Sequence, residues 1–252
     1  MKMDTKILAL SGKGGVGKTS ISAAAVRCLM RRHPDARILA VDADPAVGLS
    51  TALGVCVRET LDDIRKRVAS DVTGKLKDTQ DILAEARFRL FEAMQETRGF
   101  AFLAIGRPEA AGCYCAVNAY LKQVIEMLIG DFDYVVIDGE AGIEQINRRV
   151  MEKVTHLLFV SDQSRKGIDV VRSIKAVADE LVMYDRAGVI LNRATHPEKI
   201  DFSEICGAPL LAVIEQDARH AENDIEGRSI FELEDGSALL SGVEKALEQL
   251  GF

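Results

Sequence analysis

Short, mostly apolar runs alternate with longer amphipathic stretches along most of the chain. Runs of this kind, bounded by turn-forming or charged residues, predict buried β-strands. They occupy residues 7–10, 38–41, 101–105, 134–137, 156–160, 187–191 and 209–214. Between them, apolar residues recur at helical spacing in 20–32, 118–129 and 167–182. Strands that alternate with helices predict an α/β fold with a doubly wound, mainly parallel sheet and helices on both faces.

The segment from 58 to 98 departs from this pattern. Charged residues alternate there with apolar residues at helical spacing, as in Ile82, Ala86, Leu90 and Ala93. We expect two or three amphipathic helices, which is more than a usual crossover between strands contains. The segment is either a cap that docks a partner or a set of helices that covers the sheet.

Length, composition and charge restrict the function. A chain of 252 residues with 48% hydrophobic content suits a single domain over residues 1–252. It has no apolar run of about 18 residues and no basic-then-apolar leader, so we expect a cytoplasmic protein. The net charge of −7 and an acidic segment at 215–252 argue against nucleic-acid and membrane partners.

A glycine-rich loop lies between the first predicted strand and the first predicted helix. Its glycines allow the backbone N–H groups to surround a polyphosphate, while Lys18 neutralises β/γ oxygens and the Thr19 hydroxyl ligates magnesium. The helix start at Ser20 adds the positive end of its dipole. The predicted nucleotide-binding loop is Gly12, Lys13, Gly14, Gly15, Val16, Gly17, Lys18, Thr19 and Ser20.

Lys13 is a second lysine at a position that the phosphate-loop motif leaves free. With this lysine the loop resembles that of the deviant Walker A ATPases, the SIMIBI-class P-loop NTPases that include MinD, ParA and the nitrogenase iron protein. The resemblance implies ATP hydrolysis in a homodimer that forms around ATP, where Lys13 reaches the nucleotide of the opposite subunit. A solvated loop lysine is the alternative interpretation.

Carboxylates follow two of the predicted strands, where ligands bind in open α/β sheets. Asp44 follows the second strand in Asp-Ala-Asp-Pro, and Asp138 ends the fourth. The resemblance makes Asp44 the residue that orients the attacking water and Asp138 the Walker B carboxylate. The implied catalytic residues are Lys13, Lys18 and Asp44, and the implied Mg²⁺ residues are Thr19, Asp44 and Asp138.

Asn192 and Arg193 close the sixth predicted strand. In the resembling family, an asparagine at this place contacts the adenine edge, so both residues are expected to bind the nucleotide. Asparagine is also common in turns.

Cys113 and Cys115 form a Cys-x-Cys pair. A soft metal such as zinc takes about four ligands, so two subunits related by a two-fold axis would supply four thiolates to one bridging Ni²⁺ or Zn²⁺. Incidental cysteines and a redox pair are the alternatives. We expect Cys28 on the inner side of the first helix, and Cys56 and Cys206 as buried structural cysteines.

The stretch Gly112 to Cys115, together with Asn118, resembles CooC-type nickel-insertion ATPases, as does Glu140 to Arg149. The resemblance implies an ATP-dependent metallochaperone that assists nickel insertion into carbon monoxide dehydrogenase or a related nickel enzyme. Two alternatives are a ParA- or MinD-like positioning ATPase and an iron–sulfur reductase similar to the nitrogenase iron protein.

Overall fold

The computed structural model describes residues 5–44, 48–64, 66–67, 87–106, 125–139 and 153–252. Every strand expected from the apolar runs is present, with bounds that differ by a few residues. The strands are β1 Lys6–Gly12, β2 Ile38–Asp42, β3 Gln95–Glu96, β4 Ala101–Ala104, β5 Tyr134–Asp138, β6 His156–Ser161, β7 Arg186–Ala194, β8 Glu204–Ile205 and β9 Ala208–Glu215.

These strands form a sheet in the order β3-β4-β2-β5-β1-β6-β7-β9-β8. All neighbours from β4 to β9 pair in parallel. The two edge strands, β3 and β8, pair antiparallel with β4 and β9. The sequence did not predict either edge strand, because two residues are too few to show a period of two.

Side chains of the central strands are buried on both faces of the sheet. Along β1, Ile7 and Ala9 belong to one apolar cluster, while Leu8 and Leu10 belong to the other. Because successive side chains of a strand point to opposite faces, apolar residues on both faces require helices on both faces. The predicted doubly wound α/β fold is therefore confirmed.

Helices cover the two faces. Those described from end to end are α1 Lys18–Arg32, α2 Gly48–Leu53, α3 Arg165–Leu181, α4 Ala218–Ile225 and α5 Ala238–Leu250, with 3₁₀ turns at Pro197–Lys199 and Ile230–Glu232. The buried residues of α1 and α5 belong to the cluster that contains Leu8, whereas those of α3 belong to the cluster that contains Ile7. Side chains cap α3 and α5, since the Ser164 and Ser237 hydroxyls accept the N–H groups of Gly167 and Leu240.

The amphipathic segment predicted at 58–98 is helical at 61–64, 66–67 and 87–93. The rest of that segment, apart from the strand β3 and short connections, lies outside the described residues.

The expectation for the isolated cysteines is only partly correct. Cys28 is buried on α1, as predicted, but Cys56 and Cys206 are exposed. Cys56 lies in the loop after α2, and Cys206 occupies the turn between β8 and β9 with φ of 52°. Both cysteines lie in connections at the surface, so the prediction that they are buried was wrong.

Among the described residues, no helix combines the length and the apolar character needed to cross a bilayer.

The core predicts which aromatic residues matter for stability. Phe159 on β6 is fully buried, whereas Phe88 is 63% exposed. We expect Phe159→Ala to lower the free energy of unfolding by about 3–5 kcal/mol, because it leaves a cavity in the central sheet. Phe88→Ala is the matched control and should change it by less than about 0.5 kcal/mol. Urea unfolding measures both values, and equal effects would contradict this arrangement of the core.

Candidate nucleotide-binding site

The glycine-rich loop connects β1 to α1 at the carboxyl edge of the sheet. Gly12 is the last residue of β1, and Lys18 is the first residue of α1. A Cβ atom on Gly12 would lie 2.0 Å from the Val160 carbonyl oxygen on β6, so only glycine fits there. Gly17 has φ of 89°, a left-handed conformation that favours glycine. The predicted strand, loop and helix are therefore all in place.

Lys18 is buried at the mouth of the loop. The residue is only 8% exposed. Its ammonium donates to the carbonyl oxygens of Gly12 at 3.3 Å and Lys13 at 3.1 Å. Both acceptors are neutral carbonyl oxygens of the loop, and the positive charge of Lys18 also acts on Asp138, whose pKa it lowers. This is the placement that a polyphosphate requires.

Asp138, at the end of β5, has one carboxylate oxygen that could coordinate a cation. It is 1% exposed, and its Oδ1 accepts a hydrogen bond of 3.0 Å from the Ser22 hydroxyl. Its Oδ2 is buried with no hydrogen-bond partner among the described residues. Burial raises the pKa of Asp138 to about 6, against the opposing effect of the neighbouring Thr19 and Ser22 hydroxyls. A hard cation such as Mg²⁺ fits this oxygen and the Thr19 hydroxyl.

Asp42 is a site residue that the sequence predictions missed. It lies beside Asp138 in the parallel register of β2 and β5 and is fully buried. Its carboxylate accepts the N–H groups of Leu49 at 2.9 Å and Asp44 at 3.2 Å. Burial, together with the negative charge of Asp138, raises the pKa of Asp42 to about 7. Asp42 thus ties the chain that carries Asp44 to the start of α2.

A cavity of about 700 Å³ opens over the loop. Its wall includes Lys18 and Thr19 on one side and Asp44 beyond the end of β2 on another. Further lining residues come from 220–233, which runs from within α4 through the second 3₁₀ turn. The size is that of ordinary small-molecule sites, and Lys18, Thr19 and Asp44 of the predicted site line this one cavity.

Asn192 and Arg193, at the end of β7, donate hydrogen bonds to the backbone of the phosphate loop. The buried Asn192 amide donates to the Val16 carbonyl oxygen at 2.8 Å, and Arg193 donates to that of Gly15 at 3.1 Å. Both residues also line a smaller cavity of about 250 Å³, together with Gln216 and Asp217. Both thus lie beside the phosphate loop, and the contact with adenine stays a prediction.

Lys13 points to a partner on its own chain. Its ammonium lies 2.9 Å from Oδ2 of Asp162, and each side chain is 33% exposed. Asp162 follows β6 and also accepts from the backbone N–H and the hydroxyl of Ser164, at the start of α3. Although burial alone raises it, these hydrogen bonds hold the pKa of Asp162 below its ordinary value. No sequence motif marks Asp162, because its role depends on a contact 149 residues away.

Cys113 and Cys115 lie outside the described residues, as does the stretch from Glu140 to Arg149. Within the described ranges, no three or more His, Cys, Asp or Glu side chains come together in a way that could hold a metal ion. The predicted bridging site for Ni²⁺ or Zn²⁺ therefore stays a prediction.

Comparison with known proteins agrees with this site. Over 254 residues the chain is 35% identical to an uncharacterized ATP-binding protein of Methanocaldococcus jannaschii, covering 97% of this chain and 98% of that one. It is 30% identical over 191 residues to the carbon monoxide dehydrogenase accessory protein CooC of Rhodospirillum rubrum, covering 69% of each chain.

Solved structures give the same result for the fold. The septum site-determining protein MinD of Pyrococcus horikoshii, complexed with Mg-ADP, superposes with a TM-score of 0.69 and 25% identity, covering 97% of this chain and 95% of that one. The profile of the CobQ/CobB/MinD/ParA nucleotide binding domain matches residues 7–230. The chain therefore belongs to the CobQ/CobB/MinD/ParA family of nucleotide-binding domains.

Proposed function

We propose that this protein is an ATPase that dimerises around ATP and Mg²⁺. The observation that carries the proposal is the pairing, in one site, of a buried Lys18 ammonium with a buried carboxylate oxygen of Asp138 that has no partner among the described residues. The first suits the oxygens of a polyphosphate, and the second suits the cation that accompanies it.

Different residues around the cavity have different roles in the proposed hydrolysis of ATP. Lys18 and the loop N–H groups bind the phosphates, and Asp44, which lines the cavity, orients water for in-line attack. Thr19 and Asp138 would hold Mg²⁺, with Asp44 nearby, and the ion would neutralise charge that develops on the phosphate oxygens.

Lys13 supports the dimer. The cavity wall includes the adjacent Gly14 and Gly15, but among the described residues Lys13 instead faces Asp162. A cation at this position does not serve the nucleotide of its own chain. It is free to exchange Asp162 for the γ-phosphate of a partner's nucleotide when two copies meet face to face.

The finer function we propose is that of a metallochaperone. Cys113 and Cys115 from each subunit would bind one Ni²⁺ or Zn²⁺ as cargo, and the protein would assist nickel insertion into carbon monoxide dehydrogenase or a related nickel enzyme. Two facts support this: the Cys-x-Cys pair in the sequence, and a relative named as a carbon monoxide dehydrogenase accessory protein.

A positioning ATPase is the second candidate. It is favoured by 26% identity over 195 residues to the septum site-determining protein MinD of Thermotoga maritima, covering 76% of this chain. The net charge of −7 disfavours the polyanionic surfaces on which such an ATPase would act.

Substitution of the two loop lysines should have different effects on ATP binding and hydrolysis. We expect Lys18→Ala to weaken ATP binding roughly 10- to 100-fold, because it removes a buried cation from the β/γ oxygens. Lys13→Ala should bind ATP within about threefold of the parent but lose dimerisation and hydrolyse at least about 100-fold more slowly. Calorimetry, sedimentation and phosphate release measure these effects, and exposed Lys166→Ala is the control. A Lys13→Ala protein that dimerises and hydrolyses normally would exclude the shared site.

Asp44→Ala should separate binding from chemistry. We expect hydrolysis to fall about 10²- to 10⁴-fold, because the variant lacks the group that orients water. ATP affinity should stay within about threefold of the parent, so the ATP-bound dimer should accumulate in sedimentation experiments. A loss of affinity as large as that of Lys18→Ala would instead assign Asp44 to nucleotide or metal binding.

The cysteine pair gives the test of the metal function. The parent should bind one Ni²⁺ or Zn²⁺ per dimer, because each chain supplies only two of about four thiolates. Cys113→Ser with Cys115→Ser should abolish tight binding and spare ATP binding. The matched control is Cys56→Ser with Cys206→Ser, which removes two exposed thiols. Anaerobic metal titration with sedimentation decides, and one tight metal per monomer would contradict a bridging site.

A further inference from the structure

His220 lines two cavities of the site. The larger cavity lies over the phosphate loop, and the smaller lies beside Asn192 and Gln216. His220 lines both cavities, as do Arg193 and Asp224. A ligand whose phosphates lie on the loop and whose other end enters the smaller cavity would therefore lie beside the three shared residues, His220 among them.

The backbone of His220 is firmly held. Asp217 caps α4 by accepting the His220 N–H at 3.0 Å, and its second oxygen accepts the Leu239 N–H at 3.4 Å. Asp217 thus connects the first turn of α4 to the start of α5. The backbone that carries the imidazole is therefore fixed at the edge of both cavities.

The Nε2 atom of His220 has no hydrogen-bond partner in the described part of the chain. It is buried, yet it makes no hydrogen bond to any residue that the structure describes. A buried polar atom without a partner costs free energy, which a ligand at this position recovers. The two other residues shared by the cavities differ, because Arg193 already donates to the Gly15 carbonyl oxygen and Asp224 is exposed.

Burial favours the neutral form of the His220 ring. Burial lowers the pKa of His220, and Arg193 lowers it further, while the carboxylates of Asp224 and Asp217 oppose the shift. A neutral imidazole either donates or accepts at Nε2, depending on its tautomer. It suits a hydroxyl group, which does both.

We propose that His220 forms a hydrogen bond with a sugar hydroxyl of the bound nucleotide and thereby favours ribonucleotides over deoxyribonucleotides. In a nucleotide the sugar joins the phosphates to the base, and His220 lies between the phosphate loop and the smaller cavity at Asn192. The assignment rests on the proposed nucleotide function and adds a specificity-determining residue to it.

Calorimetry with ADP, 2′-deoxy-ADP and 3′-deoxy-ADP, each with Mg²⁺, tests the contact without hydrolysis. The parent should bind one deoxy analogue about 2- to 10-fold more weakly than ADP, the loss of one hydrogen bond. His220→Ala should bind ADP more weakly by a similar factor and show no further loss with that analogue. His220→Gln, which keeps an amide near the Nε2 position, should retain part of the discrimination.

His196→Ala is the matched control, since its imidazole is 55% exposed and pairs with Glu198. It should discriminate between ADP and the analogues as the parent does, and thermal melting should show that all variants fold. A parent that binds the three nucleotides equally would overturn the assignment, as would a His220→Ala protein that still discriminates. So would a changed preference for ADP over GDP with unchanged deoxy discrimination, which would assign His220 to the base. A parent that binds no ADP would instead overturn the nucleotide function itself.

Discussion

The site depends on the burial of one cation and two carboxylates at the carboxyl edge of the central strands. Lys18, Asp42 and Asp138 are all 8% exposed or less, and burial raises the pKa values of both carboxyls. Ionising a buried carboxyl group costs free energy, and nearby cations offset this cost. Each folded-state pKa lies above its ordinary value, so ionisation of these groups opposes the fold as the pH rises toward 7. In the proposed complex, a nucleotide with its magnesium would compensate both signs of charge at once.

Much of the fold could be predicted because central parallel strands are buried on both faces. β1, β2 and β5 are continuous apolar runs for that reason, and the runs identified them. The edge strands β3 and β8 have two residues each and depend on pairing with β4 and β9, which a local pattern does not record. Cys56 and Cys206 show the same limit, since their exposure depends on where surface connections run.

Some residues of the candidate site could likewise be predicted from local sequence, and others could not. The phosphate loop is a local motif, and Lys18 and Thr19 lie at the start of α1, where they line the larger cavity. Asp42, Asp162 and His220 were missed because each gains its role from a distant segment. Asp42 depends on the register of β2 against β5, and Asp162 on a lysine 149 residues away. His220 depends on two cavities that only the folded chain creates.

The pair of Lys13 and Asp162 bears on how a nucleotide would control assembly. Both side chains are 33% exposed, and a pair of that kind stabilises a chain by only about 0–1 kcal/mol. Breaking it therefore costs little. In the proposed dimer the same ammonium would face a γ-phosphate at an interface from which water is excluded, where a charge pair is stronger than in water. The difference between these two environments would favour assembly of the proposed dimer when ATP is bound. Hydrolysis would remove the γ-phosphate, and Asp162 would then become the better partner again.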